Sequence, residues 1–227
     1  MAVTLPGAGK RVTIIGRTGS GKTLAALFQL SLQDWTIRPW IIFDFKGDEY
    51  IARIPGAKII SVTSPVPSEP GIYIVRPLPH QTDEVEAFLW KVWEVENVGL
   101  WIDEGYMVNK SNAMRSIFTQ GRSKKISVVF ATQRPVWVDK FAISEADFYQ
   151  IFALNDKADR DVVKRFIPEW VNLDEKLPKY HSWWVDVAED EATELQPVPS
   201  PEKIIDIFSE RMEPVEDEPK AASLKLL

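Results

Sequence analysis

Eight consecutive residues constrain this chain more than any others. Gly16-Arg17-Thr18-Gly19-Ser20-Gly21-Lys22-Thr23 satisfies the phosphate-binding pattern G-x-x-x-x-G-K-[ST] at every fixed position. The pattern requires a strand before it and a helix after it. Both are present: Arg11-Val12-Thr13-Ile14-Ile15 reads as a buried strand, and Leu24-Ala25-Ala26-Leu27-Phe28 opens a helix. In that setting glycines let backbone N–H groups close around phosphates at the positive end of a helix. Lys22 places a charge on the β- and γ-phosphates, and Thr23 offers its hydroxyl to Mg²⁺. The whole loop, Gly16 to Thr23, is the expected seat of a nucleoside triphosphate.

The rest of the composition narrows the chemistry around that loop. A chain of 227 residues with 45% hydrophobic content is long enough for one sizeable α/β domain with a short appendage. It has no cysteine, which removes disulfides, thiolate zinc sites and cysteine nucleophiles, and only His80 and His181 offer imidazole. The metal expected is therefore oxygen-bound Mg²⁺. No run of 18 apolar residues occurs, and Met1 to Pro6 lack the charged-then-apolar order of a signal peptide, so a cytosolic protein with no membrane insertion is expected. The net charge of −6 is unevenly spread. Residues 1–187 hold 23 Lys and Arg against 22 Asp and Glu, whereas residues 188–227 hold 4 against 11. A near-neutral body can still present a local basic patch, so the overall acidity argues only weakly against a nucleic-acid partner.

Strand and helix signals alternate along the body. Trp40 to Asp44, Lys58 to Val62, Ile72 to Val75, Gly99 to Asp103 and Ile126 to Ala131 are short apolar runs bounded by Gly, Pro or charge, and they read as buried parallel strands. Between them, Thr82 to Glu96 carries Val85, Phe88, Leu89, Val92 and Trp93 at the spacing of one helix face, with Trp90 and Trp93 read as packing residues. Proline-rich Ser64 to Pro70 is a surface connection. The expected division is a nucleotide-binding domain over residues 1–196 and an acidic, proline-rich tail over 197–227, anchored by one short helix at Ile204 to Phe208.

Two further clusters carry chemistry. Gly99-Leu100-Trp101-Ile102-Asp103-Glu104 is an apolar strand ending in adjacent carboxylates. Asp103 is placed to hold Mg²⁺, and Glu104 to polarise an attacking water. A carboxylate in that second place suits water as nucleophile, so hydrolysis is favoured over transfer to a small molecule. Downstream, the strand before Thr132 ends in Gln133, whose amide both donates and accepts and so suits a sensor of the γ-phosphate and its water. Arg122, just before that strand, is the candidate arginine finger for a neighbouring subunit, with Arg115 as its competitor.

Taken together, GRTGSGKT, then IIFDFKGDEY, LWIDE and GRSKKISVVFATQRP resemble the HerA/FtsK superfamily of P-loop ATPases that pump DNA. The compact size is similar to the genome-packaging ATPases of double-stranded DNA viruses of the tectivirus type. The resemblance spans about residues 11 to 187, including Tyr149 to Phe166, which is similar to the family's final strand and helix. It departs mildly at Asp44-Phe45-Lys46-Gly47, where the family commonly has Asp-Pro-Lys-Gly. The resemblance implies a RecA-like (ASCE) α/β fold with a mostly parallel sheet flanked by helices, and ATP with Mg²⁺ as cofactors. It further implies a ring of five or six copies, with ATP at each interface and double-stranded DNA in the channel. By match, Lys22 and Thr23 serve the phosphates and metal, Asp103 the metal, Glu104 the water, Gln133 the sensing and Arg122 the neighbour's site. A viral vertex or portal-like protein is the implied docking partner, and the host cytoplasm or the virion's packaging vertex the implied location.

Lys110, Arg115, Lys124 and Lys125 lie between the carboxylates and the sensor strand and are candidates to grip DNA phosphates without reading bases. Trp183-Trp184 reads as part of an edge strand with one ring inward and one outward. The competing readings are the same motor serving conjugation, repair or phage export, a P-loop kinase for a small molecule, and a structural subunit with a vestigial site. A kinase would need an arginine-rich lid, absent between the motifs, and would leave Glu104 and Gln133 without a role.

Overall fold

A computed structural model describes residues 6–212. Nine strands form one sheet in the order β3-β4-β2-β5-β6-β1-β7-β8-β9. The strands are β1 (Arg11–Ile15), β2 (Pro39–Asp44), β3 (Lys58–Ile60), β4 (Gly71–Val75), β5 (Gly99–Asp103), β6 (Ser127–Thr132), β7 (Phe148–Ile151), β8 (Ser182–Asp186) and β9 (Glu191–Leu195). The first seven are parallel, and β8 and β9 close one side antiparallel. The α/β, mostly parallel architecture expected from the alternating signals is the one observed.

Parallel strands need helices on both faces, and the alternation of side chains along each strand sorts the core accordingly. Trp40 and Ile42 of β2 face one layer with helices α1 (Lys22–Ser31) and α6 (Pro201–Met212), the short helices α4 (Lys140–Ser144) and α5 (Lys157–Val163) lying between β6 and β8 in the chain. Ile41 and Phe43 face the other, with α2 (Thr82–Val95) and α3 (Asn112–Gln120). The apolar spacing of α2 buries Val85, Phe88, Leu89 and Val92 as expected, but Trp90 is 38% exposed and is not a core residue. Helix α6 seats Ile204 and Phe208 fully inside the first layer. Each such side chain contributes about 1.5–3 kcal/mol. The acidic remainder of the expected tail, residues 213–227, lies outside the described residues.

Two expectations need correction. Lys58 to Val62 is not a buried strand: β3 is three residues long, forms the sheet's outer edge, and leaves Ile59 66% exposed because nothing pairs beyond it. Trp183-Trp184 is not on an edge strand, because β9 pairs outside β8 in register Trp183↔Glu194 and Trp184↔Thr193. Trp184 points inward and stacks on Phe148 at 5.3 Å between ring centroids. Trp183 points the other way, where Trp170 meets it edge-on at 5.9 Å.

Candidate active site

In an open parallel sheet the ligand crevice lies beyond the carboxyl ends of the strands. Register fixes which residues meet there. Ile15 is level with Thr132 of β6 and Ile151 of β7, and Asp44 of β2 is level with Asp103 of β5. The phosphate loop leaves the end of β1 anchored on both neighbours. Gly16 N–H donates to the Thr132 carbonyl at 3.2 Å, and Arg17 N–H donates to the Ala153 carbonyl at 3.2 Å. Gly21 caps α1 at φ 104°, a left-handed conformation that favours glycine.

Inside the loop, Lys22 is buried and its Nζ donates to the Arg17 carbonyl at 3.1 Å. Burial lowers its pKa to about 8, opposed by the nearby Asp103 carboxylate. Ser20 Oγ, beside Gly16 in the loop, is buried with no hydrogen-bond partner among the described residues, a polar atom that a phosphate oxygen would satisfy. Thr23 is the second residue of α1.

Asp103 ends β5 almost wholly buried. Burial first, and then the Asp48 carboxylate, push its pKa up to about 6 against the pull of Lys46 and Lys22. The donor set fits a small hard cation, since Thr23 and Asp103 supply oxygen only. No group of three or more His, Asp or Glu able to hold a metal occurs among the described residues. A cation here would therefore complete its shell with phosphate oxygens and water, as Mg²⁺ does.

Glu104 follows at φ 63° and ψ 60°, a left-handed conformation uncommon for a residue with a side chain. Gly105 makes this turn possible, because a Cβ there would overlap the Phe130 ring. The turn carries the Glu104 carboxylate, only 6% exposed, over the ends of β5 and β6. One oxygen accepts from Gln133 Nε2 at 2.9 Å, and the other forms an ion pair with Lys46 Nζ. Gln133 in turn accepts from the Thr18 hydroxyl in the phosphate loop. Lys46, Glu104, Gln133 and Thr18 thus form one chain of side chains running from the end of β2 to the loop.

The structure brings together the loop, Asp103, Glu104 and Gln133. Lys46 belongs with them, a partner that the sequence reading left without a role although Asp44-Phe45-Lys46-Gly47 had drawn attention to its segment. Asp44 is also part of this edge: it is buried, accepts from Asp48 N–H at 2.9 Å and pairs with Arg76 Nε at 2.9 Å. Beside the loop an open cavity of about 350 Å³ is lined by polar residues that include Arg17, Gln133, Arg134 and Asn155.

Arg122 is placed elsewhere. It lies exposed in the turn between α3 and β6, at the amino end of the sheet. The six residues of β6 put roughly 20 Å between that turn and the phosphate loop of the same chain. The four basic residues are likewise not one cluster. Lys110 and Arg115 flank the start of α3 near the carboxyl ends of the strands, whereas Lys124 and Lys125 follow its far end. Arg115 lies over the Phe141 ring at 4.7 Å, and Lys124 pairs with Glu96 at 2.5 Å while lying over Trp93.

Comparison with known proteins adds an independent line. The chain is 39% identical over 218 residues to the DNA packaging ATPase P9 of Enterobacteria phage PRD1, covering 92% of this chain and 96% of that protein. Its structure superposes on the genome packaging NTPase B204 of Sulfolobus turreted icosahedral virus 2 in complex with AMPPCP, with a TM-score of 0.67 and 19% identity. That match covers 84% of this chain and 99% of the other. A similar fold occurs in EccC of Thermomonospora curvata, with a TM-score of 0.58 and 13% identity over 91% of this chain and 43% of that one. No protein-family model matches the chain.

Proposed function

Because the chain belongs to the viral DNA-packaging ATPases of the HerA/FtsK superfamily, we propose that it hydrolyses ATP to drive double-stranded DNA into a viral capsid. The observation that carries this reading is the Glu104 carboxylate, held over the phosphate loop by Gln133 at 2.9 Å and by Lys46. A carboxylate so placed takes a proton from water rather than binding a second substrate.

In this reading Lys22 and the loop N–H groups bind the β- and γ-phosphates, while Thr23 and Asp103 hold Mg²⁺, which would neutralise charge on the phosphates when bound. Glu104 orients and deprotonates the attacking water. Gln133, bonded to both Glu104 and Thr18, links the γ-phosphate's position to the orientation of the base.

Arg122 lies roughly 20 Å from the phosphate loop of its own chain, so a finger role for it requires a neighbouring copy. A head-to-tail ring supplies one if the amino end of one sheet faces the carboxyl end of the next. Arg122 then serves the neighbour's γ-phosphate in a ring of five or six copies around DNA. In the channel the exposed Lys110 and Arg115, near the carboxyl ends of the strands, grip phosphates, which implies binding that weakens steeply with salt and ignores sequence. A viral vertex protein would receive the ring. Its place of work is then the host cytoplasm or the packaging vertex; among the described residues no helix is long and apolar enough to cross a membrane.

The test is ATP hydrolysis by the full chain with and without long double-stranded DNA, beside Glu104→Gln. Expected are stimulation by DNA and a loss of about 10²–10⁴-fold in the variant, the range for general-base removal, with ATP binding retained. Phosphate transfer to a small acceptor without DNA stimulation would overturn the reading.

A further inference from the structure

The positions of Asp103, Glu104 and Gln133 give the bound nucleotide a direction. They sit at the ends of β5 and β6, on one side of β1, so the γ-phosphate and its water belong on that side. The α-phosphate and the base then extend to the other side of β1, over the ends of β7 and β8. Because β8 is antiparallel to β7, its beginning lies at this same edge of the sheet. The residues just before it are Lys179, Tyr180 and His181.

Tyr180 is unusual in three respects. Its ring adjoins the phosphate loop: a Cβ on Gly21 would lie 3.5 Å from Tyr180 Cδ1 and 3.7 Å from Phe152 Cε1. It is nevertheless 45% exposed, leaving ring surface open beside the loop. Its backbone is held at φ 66° in a turn closed by His181 N–H to the Pro178 carbonyl at 3.1 Å. The third position of such a turn ordinarily goes to Gly or Asn. A large aromatic kept there costs conformational energy, and residues of this kind cluster at ligand clamps. The Lys179 ammonium lies over the ring at 4.7 Å from its centroid, a cation that a stacking base would displace toward the α-phosphate or ribose.

We propose that Tyr180 is the platform on which the purine base of the nucleotide stacks, with Lys179 beside it. The inference rests on the nucleotide reading above and extends it to base recognition. The rival seat is the 350 Å³ cavity lined by Leu154 and Asn155, which lies beside the loop but is walled by the ion pairs of Arg134 with Asp156 and Asp159 and offers no aromatic face.

The experiment measures binding of ATP and of inorganic tripolyphosphate, each with Mg²⁺, to the full chain and to Tyr180→Ala, Tyr180→Phe and Asn155→Ala. Tripolyphosphate reports the phosphate loop alone. Tyr180→Ala is expected to weaken ATP by about tenfold, within the range for base–aromatic stacking, and to leave tripolyphosphate unchanged. Tyr180→Phe should bind both like the parent. Equal losses of both ligands in Tyr180→Ala would mean that the ring merely supports the loop, and no loss would mean that the base does not touch it. A selective loss of ATP in Asn155→Ala with none in Tyr180→Ala would place the base in the cavity. Each of these overturns the proposal while leaving the nucleotide reading intact. Parent protein that binds neither ligand would remove that reading and this one with it.

Discussion

The two ends of the sheet are built by different means. At the carboxyl end, side chains bond to side chains: Lys46, Glu104, Gln133 and Thr18 are linked in series, and Asp44 holds Arg76. At the amino end, the α3–β6 turn is tied mainly through its own backbone groups, while ion pairs of Lys10 and Arg11 with Asp147 brace the neighbouring strands. Asn97 N–H donates to the Lys124 carbonyl at 2.8 Å, Ile126 N–H to the Gly121 carbonyl at 2.9 Å, and Gly9 N–H to Ser127 Oγ at 2.9 Å. Arg38, buried to 3% exposure, bonds the Lys125 carbonyl and Ser127 Oγ, both at 2.8 Å. Both ends hold residues with positive φ, but Lys125 at 56° is an exposed turn residue, whereas Glu104 at 63° is buried. One outlier closes a turn and the other aims a carboxylate. The carboxyl end is a network of side chains around the phosphate loop, and the amino end is a braced mount on which Arg122 is exposed.

That contrast sets the order of expected effects. The largest is Arg122→Ala, which should cut hydrolysis by the assembled ring by about 10³–10⁵-fold while leaving ATP affinity of the single subunit intact. A matching loss of affinity would make the amino end part of its own chain's site and erase the contrast. Next is Arg38→Ala, which strips the mount of a buried cation and should destabilise the fold by about 3 kcal/mol, read by denaturant unfolding. Its ring activity should fall further than its nucleotide affinity. The smallest is Lys46→Ala, which leaves Glu104 with only Gln133. Its kcat should fall about tenfold, or ~1.4 kcal/mol in barrier, with KM for ATP unchanged. An unchanged kcat would show that Gln133 alone orients the carboxylate.

The sequence reads well where local order and function coincide. Gly16 to Thr23 and Leu100 to Glu104 each join an apolar strand to the residues at its end, so strand, turn and chemistry are encoded in one short segment. The pairing of Lys46 with Glu104 across 58 positions, and of Arg38 with Lys125 across 87, is set by strand order, which no local period carries. β9 escaped for another reason: Glu191-Ala192-Thr193-Glu194-Leu195 is polar and lies at the rim, so it lacks the apolar signal that marks a buried strand. The segment from Lys58 to Val62 misleads in the opposite sense, since its apolar Ile59 sits on an edge where nothing covers it. Tyr180 gave no signal at all, because a positive φ is a property of the folded turn and not of the residue type.

The central claim is that one subunit's carboxyl edge is completed by another's amino edge. Mixing Arg122→Ala subunits with Glu104→Gln subunits in the presence of DNA tests it directly. The first keeps a working base but lacks the finger, and the second keeps the finger but lacks the base. Hydrolysis by the mixture well above that of either variant alone is the predicted result. A mixture that assembles into rings yet hydrolyses no faster than the variants alone would contradict it.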